Sequence, residues 1–432
     1  MMDNRIKRGL SLMGIVGACL LSVSGLAADK EIVVLTTFSK EPLTALTEEF
    51  ALLHPEAVVR FIHRRSQSSI QLLNKSHMKD IDLVLSSSPF LMQHLLQSQR
   101  LAPVLYQEKL PNWFEPYVLS PQARVMTIGY SGAGLIWNRD YLQTHHLQVP
   151  KAFTDLVQPQ YFGHLTMSSP SRSGTTQMMV ESILSRYGWQ EGWRILLNIG
   201  ANLATISSRS FGVSDYIAKG QFGIGPTIDS YALLTQRKFE HVGFSYEADF
   251  TLMPTYIAKL QRPQDDPLVN EFMTMLLSDK MQQTLGQNSF AKFSLHDTSL
   301  SDGQLPHLRV DQVVLRETLT NKLFDLAITK RLPQLKDTWL SIIQLQQRFA
   351  GHADMLDRIE VIRIKAFDIG IAESEVLDIS RKLREETQRN EEGDAHVQAF
   401  LAEFSHEASR RLAQKLAEAD EQLKVLKREG SK

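Results

Sequence analysis

A chain of 432 residues with 43% hydrophobic content can bury a substantial core, and at roughly 100–200 residues per domain it divides into two or three units. The 47 Lys and Arg balance 48 Asp and Glu, and no basic stripe longer than a few residues occurs, which argues against nucleic acid as a partner. Thirteen scattered histidines, one cysteine, and no His-Glu-x-x-His or Gly-x-Ser-x-Gly pattern point to binding without turnover, with no cofactor and no bound metal.

Arg5, Lys7 and Arg8 precede the apolar run from Leu10 to Val23, and Ser24-Gly25-Leu26-Ala27-Ala28 supplies the small residues a signal peptidase accepts. The expectation is a signal peptide over 1–27, export to the periplasm, and no membrane insertion after cleavage. The run is shorter than the roughly 20 residues a spanning helix needs. Cys19 lies inside it, so the mature chain carries no thiol; Val16-Gly17-Ala18-Cys19 leaves a lipoprotein cleavage box as the alternative.

Strand, polar loop and helix then alternate three times. Glu31 to Thr37 reads as a strand, followed by a helix through Leu43, Leu46, Phe50 and Leu53 with Pro42 in its first turn. Ala57 to His63 is a second strand, leading through Arg64, Arg65 and Ser66 to a helix from about Ser69. Ile81 to Leu85 is a third, with Ser86, Ser87 and Ser88 before a helix over Phe90 to Gln99. This alternation predicts an α/β layer on a largely parallel sheet, whose ligands bind beyond the carboxyl ends of the strands. Those ends carry Thr36, Thr37, Ser39, Arg65, Ser66, Ser86, Ser87 and Ser88, of which Ser88 before Pro89 reads as a helix cap.

Val125 to Asn138 is an extended connection into a second α/β unit, and Leu252 to Leu260 is a return crossing. Two such crossings predict a hinged, two-lobed body with a cleft between the lobes. The second unit contains Ser168-Ser169-Pro170-Ser171-Arg172-Ser173-Gly174-Thr175-Thr176, between a short strand and a helix bearing Met179, Ile183 and Tyr187. Hydroxyls, a guanidinium and a glycine at a helix N-terminus suit a small oxyanion; a Ser/Thr-capped helix with a surface arginine is the alternative. Ser207 and Arg209 follow the next strand, and Asp229 the one after. Arg172, Ser173, Gly174, Thr175, Thr176, Ser207 and Arg209 would bind the anion, and Asp229 would accept from a ligand hydroxyl or pair with a ligand ammonium.

Val269 to Met281 reads as one amphipathic helix ending near Gly286. From about Val310 the pattern becomes continuously helical. Met355, Ile359, Ile362, Ala366 and onward to Leu383, and Val397, Leu401, Phe404 and onward to Leu423, alternate by threes and fours around the connector Asn390-Glu391-Glu392-Gly393-Asp394. That pattern predicts a helical hairpin, arms 352–389 and 394–429, with facing apolar stripes, packed either on the binding unit or on a partner.

Ser169 to Thr176, the Gly-Trp pairs Gly188-Trp189 and Gly192-Trp193, and Asn202 to Val213 together carry a resemblance. From about Asp29 to His296 the chain resembles the bacterial periplasmic solute-binding proteins of the ABC-transporter type, in the branch of the ferric-iron, phosphonate and phosphoglycerate-associated proteins. The resemblance implies a type II fold with two hinge crossings, lobe 1 over 28–127 and 253–305 and lobe 2 over 128–252, and the helical pattern adds an all-α region over 306–432. It implies that Thr37, Ser87, Arg172, Ser173, Gly174, Thr175 and Arg209 face the cleft. It further implies a small organophosphorus anion as ligand and, as partner, either a membrane histidine kinase in regulation of uptake or an ABC permease in ligand delivery. Ferric-iron relatives present adjacent tyrosines where only Tyr231 stands here, against iron as cargo. A third possibility is an adaptor in which the helices matter and the cleft is vestigial.

Overall fold

The computed structural model describes residues 30–74, 80–104, 110–119, 124–301, 305–388 and 393–429. The expected signal peptide, Cys19, and Asn390 to Glu392 of the connector lie outside the described residues. No helix among the described residues is long and apolar enough to cross a membrane.

The first sheet is built from β1 (Lys30–Thr36), β2 (Ala57–His63), β3 (Leu83–Ser86), β4 (Met126–Ser131) and a strand returning from the second lobe, β10 (Met253–Lys259). Its order is β2-β1-β3-β10-β4. The second holds β5 (Ala133–Asn138), β6 (Leu165–Ser168), β7 (Leu203–Ser207), β8 (Ile224–Ile228) and β9 (Val242–Tyr246), in the order β7-β6-β8-β5-β9.

In each sheet one strand runs against the other four. β10 is antiparallel to β3 and β4, and β5 to β8 and β9, whereas β1, β2 and β3 run parallel, as do β6, β7 and β8. The reversed strands are those that follow the two crossings. Gly132 alone separates β4 from β5, and a Cβ there would lie 2.7 Å from the Tyr246 ring, so only glycine passes between the sheets at this point.

The inner parallel strands β1, β3, β6 and β8 are buried on both faces, as the unbroken run Ile32, Val33, Val34 and Leu35 requires, whereas the edge strands β2 and β7 are partly exposed. On the first sheet lie α1 (Thr44–Leu53), α2 (Ser66–Leu73) and α3 (Pro89–Gln97); α2 begins three residues earlier than its periodicity suggests. On the second lie α4 (Arg139–Thr144), α5 (Gly174–Asn202), α6 (Ser210–Ala218) and α7 (Asp229–Lys238). The single helix expected from Val269 is two, α8 (Pro267–Leu276) and α9 (Asp279–Thr284), because the Ser278 hydroxyl accepts from the Met281 amide and starts a new helix.

The C-terminal region comprises α10 (Val310–Phe324), α11 (Leu332–Arg348), α12 (Ala353–Ala366), α13 (Glu373–Gln388) and α14 (Gly393–Glu429). It differs from a two-armed hairpin. The first arm breaks between Phe367 and Ala372, where Gly370 takes φ 65°, and α14 packs against α11, α12 and α13 together. One hydrophobic core runs without interruption from lobe 2 into these helices: Trp193, Leu196 and Ile199 of α5 join Leu323, Trp339, Ile342, Ile359, Leu412 and Leu416. Buried polar contacts fix the junction. The Trp339 indole donates to Asn202 Oδ1 at 2.6 Å, the Trp189 indole to the Ile371 carbonyl at 2.7 Å, and Arg316 pairs with Glu181 and Glu373.

Candidate functional site

The carboxyl ends of β1, β2 and β3 face those of β6, β7 and β8 across a narrow cleft with an internal volume of about 60 Å³. Each strand end leads into a loop and most loops into a helix. The starts of α2, α3, α5, α6 and α7 all contribute to the lining, through Ser66, Ser88, Ser173 with Gly174, Ser210, and Ile228 with Ser230. Five helix N-termini aim amide N–H groups and positive dipole ends at one point. Ser88 caps α3 by accepting from the Leu91 amide, and Ser173 caps α5 by accepting from the Thr176 amide at 3.1 Å. The caps of α2 and α6 make no side-chain bond, which leaves amides at their starts open, whereas at the start of α7 the Asp229 amide donates to the Gly132 carbonyl at 3.0 Å.

Arg65, Arg172 and Arg209 line the cleft, and among the described residues no aspartate or glutamate does. Among the described residues neither Arg65 nor Arg172 has a side-chain acceptor. Burial, with the charges of Arg209 and Arg172 beside it, holds the Arg65 guanidinium below its ordinary value. Arg209 finds a neutral partner, donating from Nη1 to His63 Nε2. Three cations without a counter-charge, among hydroxyls and helix N-termini, form a site whose missing component is an anion.

The lobes are closed on each other. Ser39 lies beside the Tyr231 hydroxyl, Lys238 pairs with Glu41, and Arg237 donates to the carbonyls of Gly286 and Gln287 at 3.0 and 3.1 Å. A Cβ on Gly174 of lobe 2 would stand 3.6 Å from Ser66 Oγ of lobe 1. Behind the cleft wall, buried Lys292 donates to Ser131 at 2.8 Å and Ser230 at 3.2 Å and lies 4.9 Å over the Phe38 ring.

Thr37, Arg65, Ser87, Arg172, Ser173, Gly174, Thr175 and Arg209 come together as lining residues, with Thr37 bonded to Ser86 and Ser87 to Thr255. Four expected residues do not line the cleft. Ser39 is turned to Tyr231. Thr176 lies inside the first turn of α5, its amide bound by Ser173. Ser207 closes its own turn, its hydroxyl donating to the Arg209 carbonyl at 2.8 Å.

Asp229 is fully buried at the hinge, accepting from the Gly132 amide at 2.6 Å, and is thus a structural residue of the crossing. Burial pushes its carboxyl up to about 6 against the pull of Lys292, while the same burial lowers the Lys292 ammonium to about 8 against the pull of Asp229. Ser66, a strand-end residue, also lines the cleft, as do Phe38, His63, Ser210, Phe211 and Ser230, which were not singled out from sequence. His63 carried a usable signal as the last residue of its strand, directly before Arg64-Arg65.

Residues 79–312 match the family model described as bacterial extracellular solute-binding protein. The chain is 35% identical over 336 residues to the phosphoglycerate transport regulatory protein PgtC of Salmonella typhimurium, covering 74% of this chain and 83% of that protein. The fold is similar to that of the periplasmic binding protein AfuA from Actinobacillus pleuropneumoniae with fructose-6-phosphate bound, at a TM-score of 0.59 and 14% identity over 69% of this chain and 98% of that one. It is also similar to that of iron-bound HitA from Pseudomonas aeruginosa, at 0.55 and 13% identity over 68% and 98%.

Proposed function

The chain belongs to the bacterial extracellular solute-binding proteins, periplasmic receptors that take up a small molecule without turning it over, and we propose that its ligand is a phosphorylated carboxylate of the phosphoglycerate kind. One observation carries the reading: Arg65, Arg172 and Arg209 converge on a cleft lined by no carboxylate. A phosphate monoester brings close to two negative charges at neutral pH and a carboxylate a third, one for each guanidinium. Thr37, Ser87, Ser173 and Thr175, with the open amides at the starts of α2 and α6, supply donors for the remaining oxygens.

The ammonium of an aminoethylphosphonate has no acid to meet in this cleft, since Asp229 is engaged at the hinge. Ferric iron wants several anionic oxygens, and the lining offers three cations and one tyrosine whose hydroxyl is held above its ordinary value by burial. Members of the family hand their ligand to a transporter or report it to a sensor. The name of PgtC, together with five helices that a two-lobed receptor does not need for capture, supports the second role here: regulation of uptake through a membrane sensor kinase. Delivery to an ABC permease is the alternative.

A thermal-shift screen across 2- and 3-phosphoglycerate, aminoethylphosphonate, inorganic phosphate and ferric citrate tests the ligand class. The phosphoglycerates should raise the melting temperature most. A larger shift with ferric citrate or the phosphonate would refute the assignment, and no shift with any of them would favour an adaptor with a vestigial cleft.

A further inference from the structure

His63 closes β2 on lobe 1 and lines the cleft, yet its ring is occupied on both sides by protein. Nδ1 lies 2.5 Å from the Phe38 carbonyl oxygen, which only accepts, so Nδ1 carries the proton. Nε2 faces Arg209 Nη1, which only donates, so Nε2 presents its lone pair. The contact spans the lobes, since Arg209 directly precedes α6 of lobe 2.

Resting on the anion-receptor reading, we propose that His63 is a positioning residue: neutral, it accepts from Arg209 across the cleft, aims that guanidinium at the anion and favours closure, and protonated it does neither. The groups facing the imidazole are Arg209 from lobe 2, Arg64 and Arg65 from its own loop, and the Phe38 carbonyl from the loop after β1, with no carboxylate in the lining. A second ring proton would sit on Nε2 against the Arg209 N–H, removing the acceptor and adding a cation to three others. Burial, and then the neighbouring guanidinium charges, hold the imidazole below its ordinary 6.5 in this closed form, against a raising effect of the Phe38 carbonyl. When the lobes part, the ring returns toward that ordinary value. Closure therefore expels a proton at acid pH, and affinity falls as pH drops below about 6.5.

The test is calorimetric titration of the full chain with 3-phosphoglycerate at pH 8.0 and 5.5, for wild type, His63→Gln and His63→Ala. The glutamine carbonyl can accept from Arg209 but does not titrate. The ratio of wild-type to His63→Gln affinity at each pH cancels the ligand's own phosphate titration near pH 6. At pH 8.0 the Gln variant should bind within about threefold of wild type and the Ala variant about tenfold more weakly. At pH 5.5 wild type should lose about tenfold relative to the Gln variant, as one unit below the ordinary imidazole value dictates.

A ratio unchanged between the two pH values, or an Ala variant that binds like wild type at pH 8.0, overturns the proposal and leaves the anion reading intact. A ratio that rises at pH 5.5 also overturns it, because the imidazolium would then be binding the anion directly. No binding by wild type at pH 8.0 overturns the anion reading and this proposal with it.

Discussion

Replacing Arg316 with methionine should unfold the junction between lobe 2 and the C-terminal helices at a much lower temperature. Arg316 of α10 donates from Nε and Nη2 to Glu181 Oε2 of α5 at 3.1 and 2.5 Å, donates from Nη1 to Glu373 of α13, and lies 5.2 Å over the Trp189 ring. Glu181 is 0% exposed and Arg316 4%, so the pair sits in the low-dielectric interior where a widowed charge is costly. Methionine retains much of the side-chain volume, so the main loss is the cation. Breaking a buried pair from one side costs about 3–5 kcal/mol. At about 2–4 °C per kcal/mol for domains of this size, the melting temperature should drop by roughly 6–20 °C.

Burial already pushes the Glu181 carboxyl above its ordinary value, against the pull of Arg316. A raised carboxyl is stabilising when protonated and loses that contribution as pH rises through its folded value, so the variant's deficit should be larger at pH 8 than at pH 5. Pairing Arg316→Met with Glu181→Gln should restore part of the loss, because the uncompensated charge is gone. Thermal unfolding followed by circular dichroism reads all of these. A single variant melting within about 2 °C of wild type at pH 8 would refute the claim that this network holds the helices to the receptor.

Glu317, beside Gln177 and Glu181, has its carboxyl pushed up to about 7 by burial. Its contribution is present below the ordinary 4.5 and is lost as pH rises through about 7, so Glu317→Gln should melt above wild type at pH 8 and near it at pH 4.5, and equal melting temperatures at pH 8 would contradict this. Gly188 interrupts α5 with φ 75° and has open space where a Cβ would go, so Gly188→Ala carries only backbone strain. It should cost about 1–2 kcal/mol in urea unfolding, and an unchanged midpoint would mean the kink relaxes freely.

The strand ends were legible because parallel strands force their loops and helix starts to one edge: Thr37, Ser87 and Arg172 to Thr175 could be placed from alternation and turn chemistry alone. Direction was not legible. Asp229 follows β8 as Arg209 follows β7, yet its side chain turns back to the Gly132 amide, a contact set by the crossing 97 residues earlier. The pairing of His63 with Arg209 likewise joins residues 146 apart, on opposite lobes.

In the C-terminal region the apolar period of three and four was readable, but an apolar stripe does not name what covers it. α5 carried a clue, since Trp189, Trp193, Ile195, Leu196, Leu197 and Ile199 leave little polar face over its second half. A helix apolar on most sides is covered on most sides. The helical region is therefore a continuation of the lobe 2 core, and cutting the chain after Gly351 would strip α12, α13 and α14 from that core.

The anion-receptor account stands or falls on calorimetric titration of the full chain with 3-phosphoglycerate at pH 8, beside the Arg172→Ala variant. Two charge-assisted bonds from one guanidinium contribute about 3–6 kcal/mol, a factor of roughly 10²–10⁴ in affinity. The account predicts micromolar or tighter binding to the wild type and a loss of that size in the variant. Undiminished affinity in Arg172→Ala would contradict it.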